Sequence, residues 1–385
     1  MQNCPTAFAA CQGNWRCLAL QAAPRFAGRA ALAAGPKNMD NARGMNTSQK
    51  LSAAIVGLGR IASLLEDDAL REKPCTHAGA IAANPDCELV AGCDADEERR
   101  RLFEQRWQAP VYVDAAEMLE AHKPSILAIA THPDSHYRYC RLAADFRVPA
   151  VICEKPLADS IGQARQIARL AGRRDSSGPR TAIIANHERR YSADYIRARE
   201  ALAGESLGRL LSARAVLYMG VAKRLLDVLW HDGTHLADAL MFLTDSVLAH
   251  RRSRGAGLAS RAGTAWLEGE LLRPGAAAVP AVMEIGAGRD HLVFEMEFSC
   301  EKGRLRIGNG VFEIWESAPS PYAEKFRSLR RSAESFSGPT GYFANMVKDA
   351  VACAKDPERR PVSSAADGLR VIEYLNSVKP WRRPA

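Results

Sequence analysis

The segment Gly57-Leu58-Gly59-Arg60-Ile61-Ala62 directly follows an apolar run, and its glycine spacing suits a turn whose backbone can approach a pyrophosphate. The anion then faces the amino-terminal end of the next helix, where unpaired amides and the helix dipole favour negative charge. A glycine pair ending a strand is a weak signal alone. It is strengthened by a second apolar run that closes on Cys93-Asp94, where an acid can hold the adenosine ribose hydroxyls. Gly57, Gly59, Arg60, Ile61 and Asp94 are therefore the expected dinucleotide ligands. Asp94 would repel a 2′-phosphate, which favours NAD(H), with NADP(H) as the alternative. Arg99, Arg100 and Arg101 read as a solvated helix face. The separation from Gly59 to Asp94 exceeds the usual ~20 residues, and Leu64 to Thr76 reads as the insertion responsible.

A lysine follows the fifth apolar run, in Cys153-Glu154-Lys155-Pro156-Leu157. In open α/β sheets the carboxyl ends of the strands line the ligand crevice. Burial and a nearby nicotinium charge there would lower the pKa of Lys155 toward proton transfer. The plainer alternative is a surface lysine paired with Glu154. Further on, Trp230-His231-Asp232-Gly233-Thr234-His235-Leu236-Ala237-Asp238 would set His231 and His235 on one helix face, with Asp238 one turn beyond. His-Asp-Gly-Thr-His nearly matches the zinc-protease helix His-Glu-x-x-His. Asp is a methylene shorter than Glu and Gly weakens a helix, so no metal is expected, and His231 reads equally well as a hydrogen-bonded core residue. In Asn186-His187-Glu188-Arg189-Arg190-Tyr191, Glu188 and Arg189 read as an interdomain salt bridge. Arg190 and Tyr191 read as ligands of a polyhydroxylated or phosphorylated substrate.

The elements that must position these residues are legible in outline. Apolar runs at 53–56, 88–93, 125–130, 149–153 and 181–185 alternate with helical patterns around 76–84, 95–106, 114–122, 134–146 and 159–172. Unbroken apolar strands alternating with helices predict a parallel sheet covered on both faces, a dinucleotide-binding domain over 51–186. After Asn186 the rhythm changes. A helix at 192–203, a strand at 209–219 and a helix at 231–243 precede closely spaced strands at 264–272, 279–287, 291–299, 303–308 and 311–316. This predicts a second α/β domain over 187–363 with an open, mostly antiparallel sheet. Two amphipathic patterns at 340–354 and 365–378 end the chain, the second in a terminal helix and tail over 364–385. Arg251-Arg252-Ser253-Arg254-Gly255 reads as a solvated loop.

The run Ala130-Thr131-His132-Pro133-Asp134-Ser135-His136, followed by Glu154-Lys155-Pro156-Leu157-Ala158, resembles the glucose-fructose oxidoreductase/inositol dehydrogenase/rhizopine catabolism (Gfo/Idh/MocA) family, over roughly residues 51–380. The resemblance implies a Rossmann domain, an open-sheet α/β domain often used for homo-oligomerisation, and NAD(P)-linked oxidation of sugars, cyclitols or their derivatives. It implies that Thr131, His136, Glu154 and Lys155 serve the cofactor, that Lys155 is the active-site lysine, and that His235 is the catalytic histidine. The family places a carboxylate four residues before that histidine; here His231 stands there, with Asp232 shifted by one. His231 is then expected to orient His235 or to touch substrate, Asp232 to contact substrate, and no fixed negative charge is expected beside His235. Two other functions fit the same motifs: a glycosidase using NAD by transient oxidation and elimination, and a non-catalytic dinucleotide sensor.

Composition bounds these readings. In 385 residues, 52 Lys and Arg outnumber 44 Asp and Glu. Five of the eight excess charges lie in residues 1–50, leaving too little elsewhere to imply nucleic-acid binding. No apolar run approaches the ~18–20 residues of a membrane span. Ten cysteines without a Cys-x-x-Cys suit reduced thiols and a cytoplasmic protein. Residues 1–50, rich in Ala, Arg and Gly, read as disordered or as preceding a start at Met45, with a transit peptide as the alternative.

Overall fold

Strands whose every residue is apolar need cover on both faces, and the first half of the chain supplies it. The computed structural model describes residues 50–172, 181–220 and 223–378; the expectation for residues 1–50 therefore lies, but for Lys50, outside the described residues. Strands β1 Leu51–Val56, β2 Cys87–Cys93, β3 Val111–Tyr112, β4 Ile126–Ile129, β5 Ala150–Cys153 and β6 Ala182–Ala185 form one parallel sheet in the order β3-β2-β1-β4-β5-β6. This is the Rossmann order, with its switch point between β1 and β4. Alternate residues serve opposite faces. Ala53 and Ile55 pack with helices His77–Ala83 and Glu97–Trp107, whereas Ala54 and Val56 pack on the side of helices Ala115–His122, His136–Asp145 and Ile161–Gly172.

The second sheet contains β7 Leu210–Tyr218, β8 Val247–Gly255, β9 Gly263–Leu272, β10 Val279–Ala287, β11 Val293–Cys300, β12 Gly303–Gly308, β13 Val311–Pro319 and β14 Arg327–Arg331. Its order is β14-β13-β12-β11-β7-β10-β9-β8; β7 and β10 run parallel, and every other neighbouring pair is antiparallel. Arg251 to Gly255, expected as a loop, completes β8. Its arginines meet glutamates of the adjacent strand: Arg251 pairs with Glu270, and Arg252 and Arg254 with Glu268. Opposite charges across a strand pair stabilise a ladder, so a run that looks solvated in one dimension is paired in two.

The expected boundary at 363 also moves. Helix Tyr342–Lys355 returns to the first sheet, burying Phe343, Met346, Val347 and Ala350 against Ile55, Ile126, Ile152 and Ile184. Helix Ala365–Ser377 then packs on Ile161–Gly172. Among the described residues no helix is long and apolar enough to cross a membrane.

The stretch from Leu64 to Thr76, expected as an insertion, is an excursion that interrupts a helix. After the glycine turn the backbone makes one helical turn, with Ser63 N donating to Gly59 O and Leu65 N to Arg60 O. The carbonyls of Ile61 and Ala62 then accept not from the next residues but from His77 N at 3.2 Å and Ala78 N at 2.9 Å. One helix is thus interrupted and resumed. Glu66 braces the excursion by accepting from Thr76 Oγ1 at 2.6 Å and from Cys75 N at 3.2 Å. Glu72 ties it to the far end of the chain, accepting from Thr340 N, Thr340 Oγ1 and Gly341 N at 2.9, 2.8 and 2.7 Å. Glu72→Ala should therefore lower stability by about 1–3 kcal/mol, the usual cost of stripping partners from a charged hydrogen-bond acceptor. Urea denaturation would measure it; an unchanged midpoint would mean that the clamp is not formed in solution.

Candidate active site

A cleft of about 790 Å³ runs along the carboxyl ends of β1, β2, β4 and β5 and reaches the second domain at His231 and His235. At one end Gly57, with φ of 85°, makes a turn that only glycine fits: a Cβ there would lie 2.8 Å from the backbone of Ala130. A Cβ on Gly59 would meet only Arg99 Nη1, at 3.9 Å, so the backbone is bare toward the cleft. Asp94 closes β2 beside this turn. Its carboxylate accepts from Leu58 N at 2.7 Å and Asp96 N at 2.9 Å, and Arg99 Nη1 lies 3.6 Å away. Gly57, Gly59, Arg60, Ile61, Asp94 and Thr131 all line the cleft. A bare glycine turn with an acid at the end of β2 fits the dinucleotide expected from the motif.

Arg99 corrects the expectation of a solvated face, since it too lines the cleft. Arg101 does point away, paired with Glu98, and Arg100 donates to the carbonyls of Asp94 and Ala95. His136 is corrected as well. It is fully buried outside the cleft lining, with one ring nitrogen 3.1 Å from Thr131 O and the other 3.1 Å from Pro156 O. It ties the loop after β4 to the loop after β5 instead of presenting an atom to a ligand. Burial holds it below the ordinary imidazole range despite these carbonyls.

At the other end, Lys155 Nζ donates to the carbonyl of His231 at 3.0 Å. Behind it, the buried carboxylate of Glu154 accepts from Asn186 Nδ2, lies 2.8 Å from His77 Nε2, and accepts from Lys155 N at 3.3 Å. Burial opposes ionisation, yet His77, Asn186 and Lys155 together hold this carboxyl below its usual range.

His231 and His235 do not share one helix. Leu225–His231 ends at Asp232, and a second helix, Gly233–Thr244, begins there. The His231 carbonyl is turned to Lys155 Nζ and Thr234 Oγ1 instead of continuing the helix. The His231 ring is 66% exposed and lies 2.9 Å from Asp232 Oδ1. Asp232 is not in the cleft wall; burial raises its carboxyl, but His231, Lys155 and Lys223 hold it below the usual range. His235 faces the cleft with its side chain 12% exposed, and its Nδ1 lies 3.3 Å from Glu188 Oε2. A fixed negative charge does stand beside His235, delivered by a different element from the one expected. Burial, then the positive charges of Lys155 and Arg189, still hold the ring well below 6.5, which favours its neutral form.

The turn Glu188–Tyr191 sends its residues in different directions. Glu188 enters the cleft and Arg189 pairs with it at 2.7 Å. The Arg190 guanidinium hydrogen-bonds both oxygens of Asp238, and Tyr191 donates to Asp349 at 3.0 Å. Arg190 and Tyr191, expected at the substrate, are buried in structural contacts because the tight turn rotates them away from Glu188. The sequence reading did not single out His77, Arg71, Asn186 or Tyr342, and assigned Glu188 elsewhere. The rule that drew attention to the end of β5 applies equally to the end of β6, where Asn186 and Glu188 lie.

Residues 51–177 match the model of an oxidoreductase family with an NAD-binding Rossmann fold, Gfo/Idh/MocA. The D-glucoside 3-dehydrogenase of Escherichia coli K12 is 29% identical over 213 residues, covering 51% of this chain and 55% of that protein. The inositol 2-dehydrogenase of Rubrobacter xylanophilus is 25% identical over 162 residues, 42% of each chain. The chain thus matches about half the length, or less, of these curated relatives. An oxidoreductase domain protein from Kribbella flavida has the same fold, with TM-score 0.69 at 18% identity over 86% of this chain and 96% of that one.

Two outcomes follow from this geometry. His136, His187 and His235 are all held below the ordinary value of 6.5, burial being the largest cause. The unfolded chain takes up protons near that value which the folded chain refuses, so stability should be full above it and decline as pH falls below it. Melting temperatures that stay flat across that range would show that these rings take up protons alike in the folded and unfolded chain, and would contradict the lowered values. Asp94→Ala should weaken NAD(H) binding by about 1–3 kcal/mol by removing a charged acceptor. It should tighten NADP(H) binding, since repulsion is lost while Arg99 remains. Unchanged affinity for both in a titration would contradict the placement of Asp94 at the ribose.

Proposed function

Because residues 51–177 match the model of the Gfo/Idh/MocA family of NAD-binding Rossmann oxidoreductases, we propose that this chain belongs to that family and oxidises or reduces a secondary alcohol of a sugar, cyclitol or sugar derivative. The observation that carries this reading is one continuous cleft with a bare glycine turn and Asp94 at one end, and Lys155 and His235 at the other. Relatives named as dehydrogenases of a glucoside and of inositol support the substrate class.

Gly57, Gly59, Arg60, Ile61, Asp94 and Thr131 would hold the dinucleotide, and Arg99, 3.6 Å from Asp94, would meet an added 2′-phosphate. Bound NAD+ would supply the acceptor for the hydride. The residues of the chain handle the proton. Hydride leaves a carbinol readily only as its hydroxyl proton leaves too, so a base and a hydrogen-bond donor must meet at that oxygen. Lys155, its ammonium steered by the His231 carbonyl, would donate to the hydroxyl oxygen and bear the negative charge that develops there. His235, neutral by burial and by neighbouring cations, would accept the proton. His231 contributes through its carbonyl, while its ring is committed to Asp232. The buried Glu154 counters the charge of Lys155 from behind.

Lys155→Met keeps length and removes the donor. Turnover should fall by roughly 10²–10⁴, the usual contribution of a positioned acid–base group, while affinity for NAD(H) changes little. If cofactor binding collapsed and the remaining turnover were normal, Lys155 would be a dinucleotide ligand and not an acid–base group.

A further inference from the structure

We propose that Glu188 is the positioning partner of His235: it holds the proton on Nδ1, so that Nε2 is the nitrogen left to accept the substrate's hydroxyl proton. This rests on the reading of the cleft as a dehydrogenase site and adds a residue to it.

Three observations converge. Nδ1 of His235 is buried and forms no hydrogen bond among the described residues, although Glu188 Oε2 lies only 3.3 Å away, so a small rotation of either side chain would make the bond. The other carboxylates of this region have partners elsewhere: Glu154 in His77 and Asn186, Asp238 in Arg190, and Asp232 in His231 through Oδ1, its Oδ2 being buried without a hydrogen bond among the described residues. Finally, Glu188 is itself held in place. Arg189 Nη1 donates to its Oε1 at 2.7 Å, and the Arg189 guanidinium is fixed 3.9 Å over the ring of Phe294.

The charges around His235 explain why the carboxylate orients the ring instead of charging it. Lys155 faces it from the end of β5, Arg189 and His187 from the segment that carries Glu188, and His231 from the preceding helix. Arg189 offsets the charge of Glu188, and the ring stays neutral. A neutral imidazole carries one N–H, so which nitrogen holds it decides whether the ring can act as a base toward the cleft. A carboxylate can only accept, so beside Nδ1 it selects the Nδ1–H form.

The test is Glu188→Gln in the full chain. Arg189 would still donate to the amide oxygen, turning the amide NH2 toward Nδ1 and moving the ring proton to Nε2. Nitrogen-15 NMR of the imidazole, assigned by comparison with His235→Asn, should show Nδ1–H in the natural protein and Nε2–H in the Gln variant. The rate kcat should fall on the order of 10²-fold, within the range of positioned acid–base groups, with NAD(H) affinity unchanged. Glu188→Asp should keep the Nδ1–H form and recover part of the rate. A Gln variant with the natural tautomer and the natural rate would overturn the proposal. If the natural protein oxidised no carbohydrate, the dehydrogenase reading would fail, whereas the tautomer measurement would still decide the role of Glu188.

Discussion

An ionised carboxylate taken out of water costs several kcal/mol unless hydrogen bonds and charges replace its hydration. Glu154, 7% exposed at the end of β5, sets that demand, and three elements meet to satisfy it. His77 comes from the resumed first helix, Asn186 from the end of β6, and the Lys155 amide from the chain's own next residue. Asn186 N also donates to Cys153 O at 2.7 Å, which fixes the exit of β6 against the exit of β5. The turn bearing Glu188 begins two residues later. The end of the cleft that holds Lys155 and His235 is thus organised around one buried negative charge, and Lys155 follows it directly in sequence.

That arrangement depends on the insertion after the glycine turn. An uninterrupted helix would carry residues 65 and 66 where His77 and Ala78 now donate to Ile61 and Ala62. The excursion delivers a histidine to Glu154, lends Leu65 and Arg71 to the cleft, and clamps the start of helix Tyr342–Lys355 through Glu72. Phe343, the second residue of that helix, packs edge-on against the His77 ring at 5.3 Å. A segment that looks like a spacer in sequence therefore joins the glycine turn, the Glu154–Lys155 end of the cleft and the last third of the chain.

The parts legible in sequence are those with a local signature. The glycine turn, Asp94, Lys155 and the alternation of apolar strands with helices each depend on a few adjacent residues, and the structure brings the named side chains to one cleft. The less legible parts are set by partners distant in sequence. Arg251 to Gly255 becomes a strand because Glu268 and Glu270 lie across from it. Arg190 turns inward because Asp238, 48 positions away, needs a cation. His231 and His235 look like a helical pair, but the Lys155 ammonium draws on the His231 carbonyl and the helix breaks at Asp232. The carboxylate beside His235 comes from 47 residues earlier, which no spacing rule along one helix can reveal.

In a dehydrogenase, a hydride must pass between the substrate and a cofactor held in this cleft, and that transfer can be followed by isotope. It is tested most directly with sugars and cyclitols carrying deuterium at the carbinol carbons, incubated with the full chain and NAD+. The expected outcome is NADH released into solution with the label on the nicotinamide ring, together with a ketone product. Bound cofactor that never leaves, with label exchange and loss of an aglycone, would mean transient oxidation in a glycosidase. Tight NAD+ binding with no label transfer across the panel would mean a sensor, and would rule out a dehydrogenase.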